Sequence, residues 1–139
     1  MVISVCFSHH HYHPLRRGVK ASKFERCELT FDVDIDLREE FHWNTKQLFV
    51  WLSVDYVGKS SNIVHRASIW DELVVTQSQA LFELEAKFPE YALVDTDLDL
   101  RDNNVNFTLY WDIHPWIGLV TRKQSQTPLV MKMPVRYQK

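Results

Sequence analysis

The sequence predicts an all-β fold, a mostly antiparallel β-sandwich of about six to eight strands with at most one or two short helices. Three observations carry that expectation. In Glu28–Leu37, apolar Leu29, Phe31, Val33, Ile35 and Leu37 alternate with Glu28, Thr30, Asp32, Asp34 and Asp36. In Gln47–Tyr56, Leu48, Val50, Leu52, Val54 and Tyr56 alternate with Gln47, Phe49, Trp51, Ser53 and Asp55, and in Asn104–Ile113, Val105, Phe107, Leu109, Trp111 and Ile113 do the same. A period of two sends successive side chains to opposite faces, so each run buries one face and solvates the other.

A chain of 139 residues fits one domain and is long enough to bury a core without disulfide staples. Net charge is −2, with 16 basic and 18 acidic side chains interspersed, so there is no basic footprint for nucleic acid. Only 3 Gly are present, which leaves no material for a Gly-rich phosphate loop. No cofactor is implied.

Taken in order, residues 1–27 stand apart as a flexible tail, and residues 28–139 form the sandwich. The tail holds His9, His10, His11 and His13, then Arg16, Arg17 and Lys20, without regular periodicity. Imidazoles bind transition metals, but adjacent histidines in a tail lack fixed geometry and supporting partners, so no metal site is expected. Cys6 and Cys27 are too few for a disulfide framework; they are either two free thiols, the plainer reading, or one bridge. The first strand, 28–37, has aspartates in a row on its solvent face. A Ca²⁺ loop would converge them on a tight turn, so they read as a charged face that discourages wrong pairing.

Arg38–Glu40 connects to Phe41–Tyr56, read as FHWNTKQLFVWLSVDY. Phe49 and Trp51 lie on the otherwise polar face of this strand and need a cover, either another part of the chain such as 80–88 or a partner protein. Val57–Asn62 is a turn by composition, and Ile63–Ile69 a third strand running into Trp70–Val75. Ala80–Phe88 fits helical and strand spacing alike. Tyr91–Val94 is a short strand before the acidic loop Asp95, Asp97, Asp99, Asp102. After Asn104–Ile113, Leu119–Val120 pairs briefly. Leu129–Val135, between Pro128 and Pro134, is an edge strand, since proline cannot donate to a ladder.

No stretch reaches the roughly 18 apolar residues of a spanning helix, and Met1–Phe7 lacks the basic start and cleavage site of a signal peptide. Catalytic motifs are missing: there is no Gly-x-Ser-x-Gly elbow and no His-Glu-x-x-His. His42, His65 and His114 are the available bases. His42 and His114 flank turns, and His65 shares a register with Ile63, Ala67 and Ile69, where a hydrogen-bonded interior histidine is the ordinary reading. Asn106-Phe107-Thr108 is an N-glycosylation acceptor pattern with both polar residues on the solvent face of the strand.

FDVDID, FHWNTKQLFVWLSVDY, IWDELV at Ile69–Val74 and NVNFTLYWDIHPWIG at Asn104–Gly118 resemble, in that order and spacing, subunit 3 of the eukaryotic signal peptidase complex. The fingerprint lies in Trp43, Asn44, Lys46, Gln47, Leu48 and Phe49, with Trp70, Asp71 and Trp111, and reads as mainly structural. The resemblance implies an endoplasmic-reticulum membrane protein with a lumenal β-sandwich. It also implies a non-catalytic role, with no catalytic residue in this chain, in supporting and positioning the catalytic subunit, its chief partner. Phe49 and Trp51 are then the candidate partner interface. Two departures accompany it. Where the family's membrane anchor precedes the first strand, this chain has its histidine-rich tail, which reads as a truncated or mispredicted start in preference to a soluble paralogue that has lost its anchor. The animal-type glycan acceptor corresponds to Asn104, whereas the sequon here is at Asn106. The alternative reading is a free-standing binding module, for example for carbohydrate, with Trp70, Trp111 or Trp116 as a stacking platform.

Overall fold

The computed structural model describes residues 2–12, 23–126 and 128–136, with side chains described from residue 24 onward. Nine strands form among the described residues: β1 (Val2–Tyr12), β2 (Lys23–Asp36), β3 (Thr45–Val57), β4 (Val64–Val74), β5 (Leu81–Lys87), β6 (Leu93–Asp95), β7 (Asn104–Pro115), β8 (Thr121–Gln124) and β9 (Leu129–Lys132). Short 3-10 turns at Arg38–Glu40 and Gln77–Ala80 are the helical elements described. The strands make two antiparallel sheets. In one, β2 is flanked by β1 on one side and by β5 and β6 on the other; in the second, the order is β4-β3-β7, with β8 and β9 sharing the outer edge of β7.

The predicted fold class therefore stands, and the three alternating runs are the central strands β2, β3 and β7. Their inward sets, Leu29, Phe31 and Val33, then Leu48, Val50, Leu52 and Val54, then Val105, Phe107 and Leu109, form the core between the sheets. Trp70 ties the layers together. It projects from β4 to ring contacts with Phe31 (5.8 Å) on β2 and Phe82 (5.8 Å) on β5, in geometries that add to plain burial.

The tail expected over 1–27 is corrected at both ends that are described. Val2–Tyr12 pairs with Lys23–Asp32 as β1, and β2 starts at Lys23, not Glu28. The inward alternation continues backward through Cys27 to Glu25, and both are buried. Cys27 is thus a free thiol in the core instead of in a tail, where burial, reinforced by Glu28 and Glu25, pushes its pKa up to about 12. Residues 13–22 lie outside the described residues, and only the backbone of His9–His11 is described.

Within Ala80–Phe88, Leu81–Lys87 resolves as strand. It pairs with β2, with Phe82 opposite Ile35 and Leu84 opposite Val33. Its apolar spacing suited either form, and the open edge of β2 decides for the extended one. The brief pairing expected at Leu119–Val120 falls instead on Thr121–Gln124, and the last strand ends at Lys132, ahead of Pro134. In β4 the register slips between Ser53–Ser68 and Leu52–Trp70, leaving Ile69 as the extra residue of a bulge. The bulge interrupts the alternation, so Ile69 and Trp70 are both buried. The Ile69 carbonyl, freed from the ladder, accepts the N–H groups of Glu90 (2.9 Å) and Tyr91 (3.0 Å).

Candidate functional site

The outer face of the five-stranded sheet is where the polar set of β3 meets those of β4 and β7. Across it Trp51 lies opposite Asp71 and Tyr110, and Phe49 opposite Leu73 and Asp112. The rings form a ladder: Phe49 to Trp51 is 5.5 Å between centroids, and Trp51 stacks on Tyr110 at 5.4 Å with 16° between planes. Two guanidinium groups lie over the ladder. Arg122 sits 4.9 Å above the Trp51 ring and Arg66 5.9 Å above Tyr110. Each is aimed by a two-pronged carboxylate contact, Arg122 on Asp112 (2.8 and 2.9 Å) and Arg66 on Asp55 (2.8 and 2.8 Å), the geometry that matches a planar fork to a carboxylate. The hydrogen bond from Arg122 holds the Asp112 carboxyl below the usual carboxylate range.

Phe49 and Trp51 are half-buried; the two rings contact each other, and Trp51 is covered by Tyr110 and Arg122. The 80–88 segment, the sequence-based candidate for that cover, pairs on β2 in the other sheet. A ladder lidded by arginines offers flat stacking surface and hydrogen-bond donors at once. This suits macromolecular contact and supplies no acid–base pair.

At the end of the sheet where β3 begins and β7 stops, a second feature appears. Asn44 reaches across the sequence to Ile117, accepting its N–H at Oδ1 (3.2 Å) and donating Nδ2 to its carbonyl (2.8 Å), while the Asn44 carbonyl accepts the N–H of Trp116 (2.9 Å). Lys46 Nζ lies 5.6 Å over the Trp116 ring, and Gly118 takes φ +113°, a value that L side chains rarely adopt. The loop so held presents its apolar side chains to solvent: Leu119 is 90% exposed, and Trp116 and Ile117 also project. Trp43 on the facing corner is 88% exposed. Sequence reasoning missed this corner, although the apolar run Trp116, Ile117, Leu119, Val120 outside any alternation was its visible signal.

The fingerprint residues divide by role. Leu48, Trp70 and Trp111 are core, with Trp111 Nε1 directed at Glu40 (3.4 Å). Asn44 clips the corner loop, and Asp71 accepts the Tyr91 hydroxyl, which raises the Tyr91 pKa. Gln47 is half-buried opposite His114, and Lys46 and Trp43 face outward. For Trp43 a mainly structural role does not fit its exposure. Of the three tryptophans considered as a stacking platform, Trp70 and Trp111 are buried and only Trp116 is accessible. Asn106 is exposed, opposite Asp55 and Val130, whereas Thr108 of the same sequon is 7% exposed, opposite Ser53 on β3.

The three histidines are not brought together. His42 accepts the Asn44 N–H at Nδ1 (3.3 Å), His114 lies opposite Gln47, and His65 stacks on Tyr56 at 5.1 Å at the inner edge of the sandwich. The reading of His65 as a fully hydrogen-bonded interior histidine is corrected at one atom: its Nε2 is buried without a partner, as is Oδ2 of Asp99.

Comparison with known proteins bears on the whole sandwich. A family model described as "Signal peptidase subunit" matches residues 5–136. Proteins named "Signal peptidase complex subunit 3" are similar to this chain: one from Yarrowia lipolytica is 35% identical over 94 residues (68% of this chain, 51% of that protein). The Drosophila melanogaster protein is 30% identical over 121 residues (86% and 67%), and that from Gallus gallus 31% over 118 residues (82% and 65%). The chain spans about half the length of the yeast relatives it matches. No helix among the described residues is long and apolar enough to cross a membrane.

Proposed function

Since the chain belongs to the signal peptidase subunit family, we propose that it acts as a non-catalytic accessory subunit of the signal peptidase complex of the endoplasmic reticulum, holding the catalytic subunit in position through its lumenal β-sandwich. The observation that carries this is the extent of the family match, which runs along both sheets from β1 to the residues just past β9. The sandwich is the functional body, and its service is a surface. Two surfaces suit a partner. The arginine-lidded ladder of Phe49, Trp51 and Tyr110 provides flat aromatic area with donors, and the corner of Trp43, Trp116, Ile117 and Leu119 provides exposed apolar anchors; aromatic and arginine side chains dominate contact energies in interfaces. Glycosylation at Asn106 belongs to the same proposal, conditional on a lumenal location.

Co-purification with the catalytic subunit tests this reading. The pair Trp116→Ser and Leu119→Ser alters exposed side chains and leaves the core intact; Phe49→Ser with Trp51→Ser probes the ladder, with circular dichroism confirming the fold. Release of the catalytic subunit by either pair supports the proposal. Retention in both folded variants refutes both surfaces as the contact.

A further inference from the structure

At the other end of the sandwich, outside both surfaces described above, His65, Asp97 and Asp99 bring one potential ligand atom each to within 4.8 Å of one another. We propose that this cluster is a binding site for a divalent first-row transition metal, with His65 Nε2 and the carboxylates of Asp97 and Asp99 as ligands. The sequence reading expects no metal in this chain, and the acidic loop alone does not justify one.

What distinguishes this cluster is its unmet polarity. Asp99 is 4% exposed, and its Oδ2 has no hydrogen-bond partner; His65 Nε2 is buried and unpartnered beside it. Leaving buried polar atoms unpaired is costly, so two at one spot call for a shared partner. The space beside them is left free because residue 58 carries no side chain. A Cβ at Gly58 would stand 3.0 Å from both Asp99 Oδ2 and His65 Nε2 and 2.5 Å from Ser61 Oγ. Gly58 does not have a positive φ, so room, not backbone freedom, is what glycine supplies there.

The ligands are also positioned by their neighbours. Tyr56 stacks on the His65 ring with 16° between planes. Asp95 accepts the N–H of Asp97 at Oδ1 (3.1 Å) and that of Asp99 at Oδ2 (2.8 Å), so one carboxylate orients the backbone carrying both acidic ligands. Asn103 Nδ2 fixes the Asp99 carbonyl (2.9 Å). Tetrahedral ligands about 2.1 Å from an ion lie about 3.4 Å apart. Closure is therefore a movement of at most about 1.4 Å, within the reach of exposed Asp97. One imidazole with two carboxylates favours Zn²⁺ or a neighbouring transition ion over Ca²⁺ or Mg²⁺, which take oxygen ligands, and three protein ligands leave one position open.

The experiment is calorimetric titration of Zn²⁺, with Ca²⁺ in parallel, into the full chain and into its Asp97→Asn and His65→Gln variants. Asp97 is exposed, so its variant keeps the fold and the test survives if His65→Gln does not. Zn²⁺ taken up by the His9–His13 run is common to all three proteins and cancels in the difference. The expected result is one equivalent of Zn²⁺ more in the wild type than in either folded variant. Equal stoichiometry in wild type and Asp97→Asn, or a site that takes Ca²⁺ in preference to Zn²⁺, overturns the proposal.

Discussion

Replacing Glu25 with alanine is expected to destabilise the protein by about 3 kcal/mol. The residue is fully buried, on β2 opposite Asp95 of β6, and its Oε2 accepts the N–H groups of Leu100 (2.9 Å) and Arg101 (3.3 Å). Removal leaves the buried Leu100 donor without its charged acceptor, at about 2 kcal/mol, and the longer, partly buried Arg101 contact adds about 1 kcal/mol. Glu25→Gln keeps the shape and one acceptor oxygen and should cost about 1 kcal/mol. Urea unfolding followed by tryptophan fluorescence measures both. With a slope of about 2 kcal/mol/M, the alanine variant should unfold about 1.5 M earlier. A change within about 0.5 kcal/mol, as for a residue in a solvated tail, would refute the placement of residue 25 in the core and with it the early start of β2.

Asn44→Ala removes two side-chain hydrogen bonds to Ile117. A loss of about 1–2 kcal/mol and faster proteolysis within 115–120 should follow, and unchanged cleavage there would count against the clip. Cys27, with its pKa pushed up to about 12 by burial, should resist thiol reagents near pH 8 in a Cys6→Ser background until denatured. Because the folded pKa lies above the unfolded value, the stability tied to this thiol is present below about pH 9 and is lost as pH rises toward 12; equal stability of the wild type and Cys27→Ala across pH 9 to 12, once normalised at pH 7, would contradict it. Arg122→Ala should raise acrylamide quenching of tryptophan fluorescence by uncovering Trp51, and the effect should vanish in a Trp51→Phe background.

How far the fold was legible depended on whether each signal was local. In β3, five apolar residues at every second position can satisfy only an extended strand with one buried face, and β2 and β7 follow the same logic. Pro115 and Gly118 marked the exit of β7 equally well. The cover over Trp51 was not legible, because Arg122 comes to it from β8, across a loop whose own composition says nothing about β3. The strand state of 81–87 was not legible either, since its spacing fits two structures and only the unfilled edge of β2 chooses between them. Extending β2 back to Lys23 depended on recognising Glu25 as an inward residue, and a glutamate reads as solvated until the N–H groups of Leu100 and Arg101 are seen facing it.

By itself the sequence determined the all-β class, the three central strands with their inward faces, and the family fingerprint in Trp43–Phe49 and Trp70-Asp71, because each is written in residues next to or two apart from one another. Tertiary structure alone decided that Asn44 holds Ile117, that the Ile69 bulge buries two successive side chains, and that His65 and Asp99 turn unpartnered atoms toward the space beside Gly58. Those pairings join residues tens of positions apart, and their energies come from desolvation and close approach, which no local pattern records.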